Sequence, residues 1–123
     1  MNDPKVLFGF DDWNDIVAQF GGSPEPEPAL IYAVYSQPPY AGDAEVIFYR
    51  DGEWYHHSGS HCSCFGLEES GWHPEKIDPH FHLKAIEEGR RMYSPCGHEG
   101  EYPQATQEAF DQWLTRAVAE TQG

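Results

Sequence analysis

Asp51-Gly52, set between Glu45-Val46-Ile47-Phe48-Tyr49-Arg50 and Glu53-Trp54-Tyr55-His56-His57-Ser58, constrains this chain more than any other stretch. A two-residue type I′ turn needs positive φ at both central positions. Asp-Gly supplies that between runs rich in β-branched and aromatic residues. The register of the hairpin over residues 45–58 follows: Arg50 faces Glu53 as an ion pair, Tyr49 faces Trp54, Phe48 faces Tyr55 and Ile47 faces His56. One face then carries Val46, Phe48, Tyr55 and His57, and the other Ile47, Tyr49, Trp54 and His56. Both faces are apolar enough to call for a cover, which helices elsewhere in the chain can provide.

Those helices are legible from periodicity. Within Asp11 to Phe20, Trp13, Ile16, Val17 and Phe20 share one helical face, and Gly21 supplies a stop. Asp78 and Pro79 read as the N-cap and first residue of a short helix to about Glu88, ended by Gly89. Pro103 can open a last helix in which Phe110, Trp113, Leu114, Ala117 and Val118 form a core-facing stripe. Leu30 to Tyr35 is a further strand, closed by the loop residues Gln37 to Gly42. Ser23-Pro24-Glu25-Pro26-Glu27-Pro28 has prolines at alternate positions, so the connector over 22–28 reads as an extended spacer. The expected fold is α+β: one domain over 1–123, with a small antiparallel sheet of about three strands packed by an N-terminal helix and two C-terminal helices.

The chain carries 21 acidic against 7 basic residues, a formal charge of -14, which opposes binding to nucleic-acid phosphates and to anionic membranes. A charged partner is therefore expected to be a protein with a basic surface. Neither a basic-then-apolar leader nor an apolar stretch of membrane-spanning length is visible. The three cysteines include Cys62 and Cys64, one residue apart, which suits thiols or metal ligands better than a disulfide framework. The cytoplasm is the expected compartment.

Reactive side chains are densest in His56-His57-Ser58-Gly59-Ser60-His61-Cys62-Ser63-Cys64. Thiolate and neutral imidazole are good donors to a tetrahedral zinc ion, and Cys62 and Cys64 with Cys96 and His98 would supply four ligands, with His61, His73, His80 or His82 as substitutes. The single-residue spacing is tighter than in zinc ribbons and fingers, so buried cysteines beside hydrogen-bonded histidines are the competing reading. A nucleophilic Cys62 or Cys64, activated by His57, His61 or His98, would need an electropositive setting that this acidic chain does not offer. No catalytic residue is assigned. No phosphate-binding Gly-rich loop, dinucleotide fingerprint or Gly-x-Ser-x-Gly elbow occurs.

Gly59-Ser60-His61-Cys62-Ser63-Cys64, continuing through Phe65-Gly66-Leu67-Glu68, and the later Trp72-His73-Pro74-Glu75 resemble the corresponding loop of a group of small uncharacterised bacteriophage proteins. Pro39-Tyr40-Ala41-Gly42 and the strand Val46 to Asp51 share in the likeness, which covers roughly residues 10 to 88. The resemblance implies a phage-encoded accessory protein in the host cell cytoplasm and carries no established activity. With the acidity it leads to an expected inhibitor or modulator of a host nucleic-acid-binding complex such as a defence nuclease, of anti-CRISPR or anti-restriction type. Glu25, Glu27, Glu68, Glu69, Trp72 and Tyr40 are the candidate partner-binding residues. A zinc-stabilised protein-interaction module is the alternative, and a Cys/His-dependent enzyme comes third.

Overall fold

The computed structural model describes residues 4–36, 41–62, 71–89 and 107–122. Within them the order is β1 (Lys5–Phe8), α1 (Trp13–Gln19), β2 (Leu30–Ser36), β3 (Ala41–Arg50), β4 (Glu53–Cys62), β5 (Glu75–Ile77), α2 (Pro79–Glu87) and α3 (Gln107–Gln122). The hairpin turn has φ of 55° at Asp51 and 80° at Gly52, the pair that type I′ requires. The expected register holds, with Arg50 opposite Glu53, Tyr49 opposite Trp54, Phe48 opposite Tyr55 and Ile47 opposite His56. The ladder runs on to Ala41 opposite Cys62, well beyond the apolar core of the hairpin. Backbone pairing does not need apolar side chains, which is why Ala41 and Gly42, expected in the loop, and Gly59 and Ser60, beyond the expected strand end at Ser58, all continue the ladder.

The class is α+β, but the sheet has five strands and is mixed, not three and antiparallel. Its spatial order is β1-β2-β3-β4-β5, with β1 parallel to β2 and the other pairs antiparallel. The two strands missed are the edges. β1 has four residues and β5 three, too short to show a period, and β5 reads Glu-Lys-Ile. Partners define them instead: Lys5 to Phe8 align with Ile31 to Val34, and Ile77, Lys76 and Glu75 with Trp54, Tyr55 and His56.

Because β2 is covered on both faces it reads as an unbroken apolar run. Ile31, Ala33 and Tyr35 join Val46 and Phe48 under α1, where Trp13, Ile16, Val17 and Phe20 complete one core. Leu30, Tyr32 and Val34 join Ile47 and Trp54 on the opposite face, closed by Phe110, Trp113, Leu114, Ala117 and Val118 of α3. The stripe expected on the last helix is therefore core, as periodicity indicated. Its proposed start at Pro103 lies outside the described residues.

The ends of α1 explain its length. Asp12 is the N-cap, its Oδ1 accepting from the Asp15 N–H at 2.8 Å, while Asp15 Oδ2 accepts from the Asp11 N–H at 2.9 Å. These acidic groups thus hold the helix entry. At the other end the Gly21 N–H donates to Ala18 O and the Gly22 N–H to Val17 O, both at 2.9 Å, with Gly21 at φ 78°. This is a Schellman ending. Gly22 has a second reason to be glycine, since a Cβ there would stand 2.8 Å from Val17 Cγ1 and 3.0 Å from Trp72 Cβ.

Candidate binding surface

The Pro/Glu connector is a strap fastened across the sheet, not a spacer. Trp13 donates its indole N–H to the Glu25 carbonyl at 3.1 Å. Arg50 donates to Glu25 Oε1 at 2.9 Å and to the Pro26 carbonyl at 3.0 Å, and Trp72 donates its indole N–H to Glu25 Oε2 at 3.1 Å. Lys5 meets Glu27 at 2.8 Å. Prolines deny the strap its own ladder, so its backbone carbonyls are held by side chains from α1 and β3, and Trp72, before β5, holds its Glu25 carboxylate.

Arg50 organises this region. Its guanidinium lies 5.2 Å from the Phe48 ring centroid, 5.9 Å from Tyr55 and 6.0 Å from Trp13. The ion pair expected with Glu53 does not form, although the two residues do stand opposite each other. The aromatic rings and the strap's oxygens offer Arg50 a more enclosed set of partners, and Glu53 faces Lys76 at 3.9 Å instead. Strand register locates a long side chain's Cα, whereas its tip goes to the best acceptor within reach.

The expected partner-binding residues thus separate. Glu25 is bonded on both oxygens, with its side chain 25% exposed, and belongs to the fold. Glu27 is exposed in a surface ion pair. Trp72 is half-buried, its ring 5.6 Å from both Trp13 and Phe20 and 6.0 Å from Phe48, so it roofs the α1 core. Tyr40, Glu68 and Glu69 lie outside the described residues.

For zinc, Cys64, Cys96 and His98 likewise lie outside the described residues, and Cys62 and His61 are placed at the end of β4 by backbone alone. Among the described residues no cluster of three or more His, Cys, Asp or Glu could hold a metal ion. His73 and His80 are exposed, and His82 is buried between α2 and α3 with Nε2 3.5 Å from Asp111 Oδ1.

His56 and His57, neighbours on β4, go to opposite faces and to different fates. His56 Nε2 lies 2.5 Å from Glu45 Oε2, its diagonal neighbour on β3. His57 is buried edge-on against Phe20 and Trp72, at centroid distances of 4.5 and 5.0 Å. Burial holds its pKa below the usual histidine value; backbone groups of Gly71 and His73 oppose that shift, and the charges of His56 and His73 add to it. The neutral ring is therefore the form that fits the fold. Because the unfolded chain takes up a proton near 6.5 and the folded chain only at lower pH, stability is complete above 6.5 and falls as pH drops from there toward the folded value. His57→Phe keeps the ring contacts and removes this titration, so its melting temperature should fall less than that of the unsubstituted protein between pH 7.5 and 5.5. An equal fall in both would show that His57 stays neutral in both states or charges at no cost.

Sequence reasoning did not find the strap, the Arg50 cage or the Glu45–His56 pair. The signal for the strap was a lone arginine at a strand end beside aromatic residues, with alternating Glu and Pro upstream.

No family model, curated protein or solved structure matches this chain. No helix among the described residues is long and apolar enough to cross a membrane.

Proposed function

We propose that this chain is a phage-encoded accessory protein that binds a host nucleic-acid-binding complex stoichiometrically, such as a defence nuclease, and inhibits or modulates it. The observation that carries the reading is the excess of 21 acidic over 7 basic residues, taken with where the cations go. Among the described residues Lys5, Arg50 and Lys76 pair with Glu27, Glu25 and Glu53 of the same fold, while Lys84 and Arg116 are exposed and outnumbered by carboxylates. Exposed carboxylates on several elements, among them Asp43, Glu75, Glu87, Glu108 and Glu120, then set the surface potential. An acidic surface of this kind speeds encounter with a basic groove and excludes the polyanion that the groove serves.

Affinity capture from a bacterial lysate, followed by association kinetics on the purified partner, tests this. Raising salt from about 50 to about 500 mM should slow association about tenfold or more, with a smaller change in dissociation. Reversing Glu75, Glu87 and Glu120 to lysine should weaken binding and leave the melting temperature unchanged, since all three are exposed and the last two sit in or near final helical turns where a cation is welcome. Association that ignores both salt and these reversals would remove charge from the explanation.

A further inference from the structure

Between the β3–β4 turn, the start of α2 and the end of α3 lies a cleft of about 340 Å³. Trp54, Pro79 and Val118, all buried, give it an apolar floor, and the exposed His80 and half-buried Thr121 add polar groups to its lining. Tyr49 forms a wall, its ring 5.2 Å from that of Trp54 and inclined at 52°. Glu53 and Asp78 are exposed at the mouth.

The electrostatics of the cleft favour a cation. Through Val118 and Thr121, α3 brings its C-terminal end here, and its last turn contains no basic residue to offset the negative end of the helix dipole, about half a charge. The N-terminus of α2 also opens here and by itself would draw an anion. Asp78, however, accepts the His80 N–H at 3.0 Å and adds a full negative charge where the dipole offers about half a positive one. Tyr49, which is partly exposed and backed by the buried Trp54 ring, presents aromatic surface that attracts cations and not anions. Lys76 is no obstacle: it does not line the cleft, and its 3.9 Å pair with Glu53 has a lysine side chain 66% exposed, so that contact is loose and easily exchanged.

We infer that this cleft receives an arginine side chain carried on an apolar segment of the partner. The inference rests on the reading that the partner is basic, and it names where and how one of its side chains docks. The apolar floor accommodates flanking aliphatic groups. Arginine fits better than lysine because a planar guanidinium stacks on aromatic rings while donating to more than one carboxylate. Glu53 and Asp78 are the acceptors at the mouth.

Two-dimensional amide NMR of the full chain tests it with three probes: a capped tetrapeptide bearing one arginine among leucines, the same peptide with neutral citrulline in place of arginine, and hexa-arginine. The arginine tetrapeptide should shift the amides of Gly52, Glu53, Ile77, His80 and Thr121 saturably, and the citrulline peptide should bind about tenfold or more weakly. In an E53Q/D78N variant, where asparagine keeps the helix cap, the two peptides should become nearly equal. Equal binding of the two to the unsubstituted chain, or shifts confined to other elements, would overturn the inference. Should hexa-arginine bind while leaving these amides unmoved, the acidic-surface reading stands and the cleft falls. If neither cationic peptide gives a saturable shift, both fall.

Discussion

Replacing Phe48 by alanine should cost about 3–5 kcal/mol of folding stability, the range for truncating a buried aromatic ring. Phe48 is fully buried, and its ring is met by Trp13 at 5.0 Å, Tyr55 at 5.0 Å and Trp72 at 6.0 Å. Truncation removes the surface on which those rings rest and leaves a cavity that rigid aromatic neighbours cannot collapse to fill. It also takes away the nearest of the rings facing Arg50, so the strap is weakened from beneath. Stabilities of domains this size are about 5–15 kcal/mol, so the variant should unfold in markedly less urea or fail to fold at 37 °C. Phe81→Ala is the matched control, because that ring is 66% exposed, and its effect should stay within about 0.5 kcal/mol. Similar urea midpoints for the two variants would mean that the aromatic cluster is not the core of this layer.

Glu25→Lys should lower stability by about 2–3 kcal/mol, although the position looks like an ordinary acidic surface residue in the sequence. The substitution removes the acceptor of both the Arg50 guanidinium and the Trp72 indole, and it sets an ammonium beside the guanidinium. The pair is partly exposed, with side chains 22% and 25% accessible, so water screens some of that repulsion and the figure stays below that for a fully buried ion pair. Glu27→Lys, two residues along, breaks only the exposed pair with Lys5, at 44% and 47% accessibility, and should cost less than about 1 kcal/mol. Glu25→Gln should fall between, since its amide oxygen can still accept one of the two bonds. Comparing thermal melts of the three variants decides the matter: if Glu25→Lys tracked Glu27→Lys, the strap would contribute nothing to the fold.

What could be read from residues alone was whatever depends on near neighbours. Asp51-Gly52 dictated a turn, the turn dictated a register, and the register assigned Val46 and Phe48 to one face and Ile47 and Trp54 to the other. The stripes of α1 and α3 follow from a 3.6-residue period in the same way. What escaped depends on partners distant in sequence. β1 is a strand because Lys5 to Phe8 find Ile31 to Val34, and nothing within the four residues announces it. The strap is organised by Arg50, 25 residues beyond Glu25, and by Trp72, 47 residues beyond it. Of the expected partner-binding residues, Glu25 and Trp72 turn inward as structural groups and Glu27 stays on the surface, a division set by contacts that linear neighbours do not reveal. The cleft at Trp54, Asp78 and Val118 draws on three separated elements and had no linear signature.

The sheet's spatial order, β1-β2-β3-β4-β5, is also its order along the chain. Every strand therefore docks on the one synthesised just before it, and the longest closure is that from β1 to β2, across α1 and the strap. α1 lies between the first two strands and can shield its side of the sheet as soon as β2 and β3 pair. α3 follows all five strands in the sequence, so Tyr32, Ile47 and Trp54 lack Phe110, Trp113 and Leu114 against them until residues 107–122 have been made. During translation, aggregation-prone surface is thus confined to one face of the nascent sheet, and any premature stop before residue 107 would make that exposure permanent.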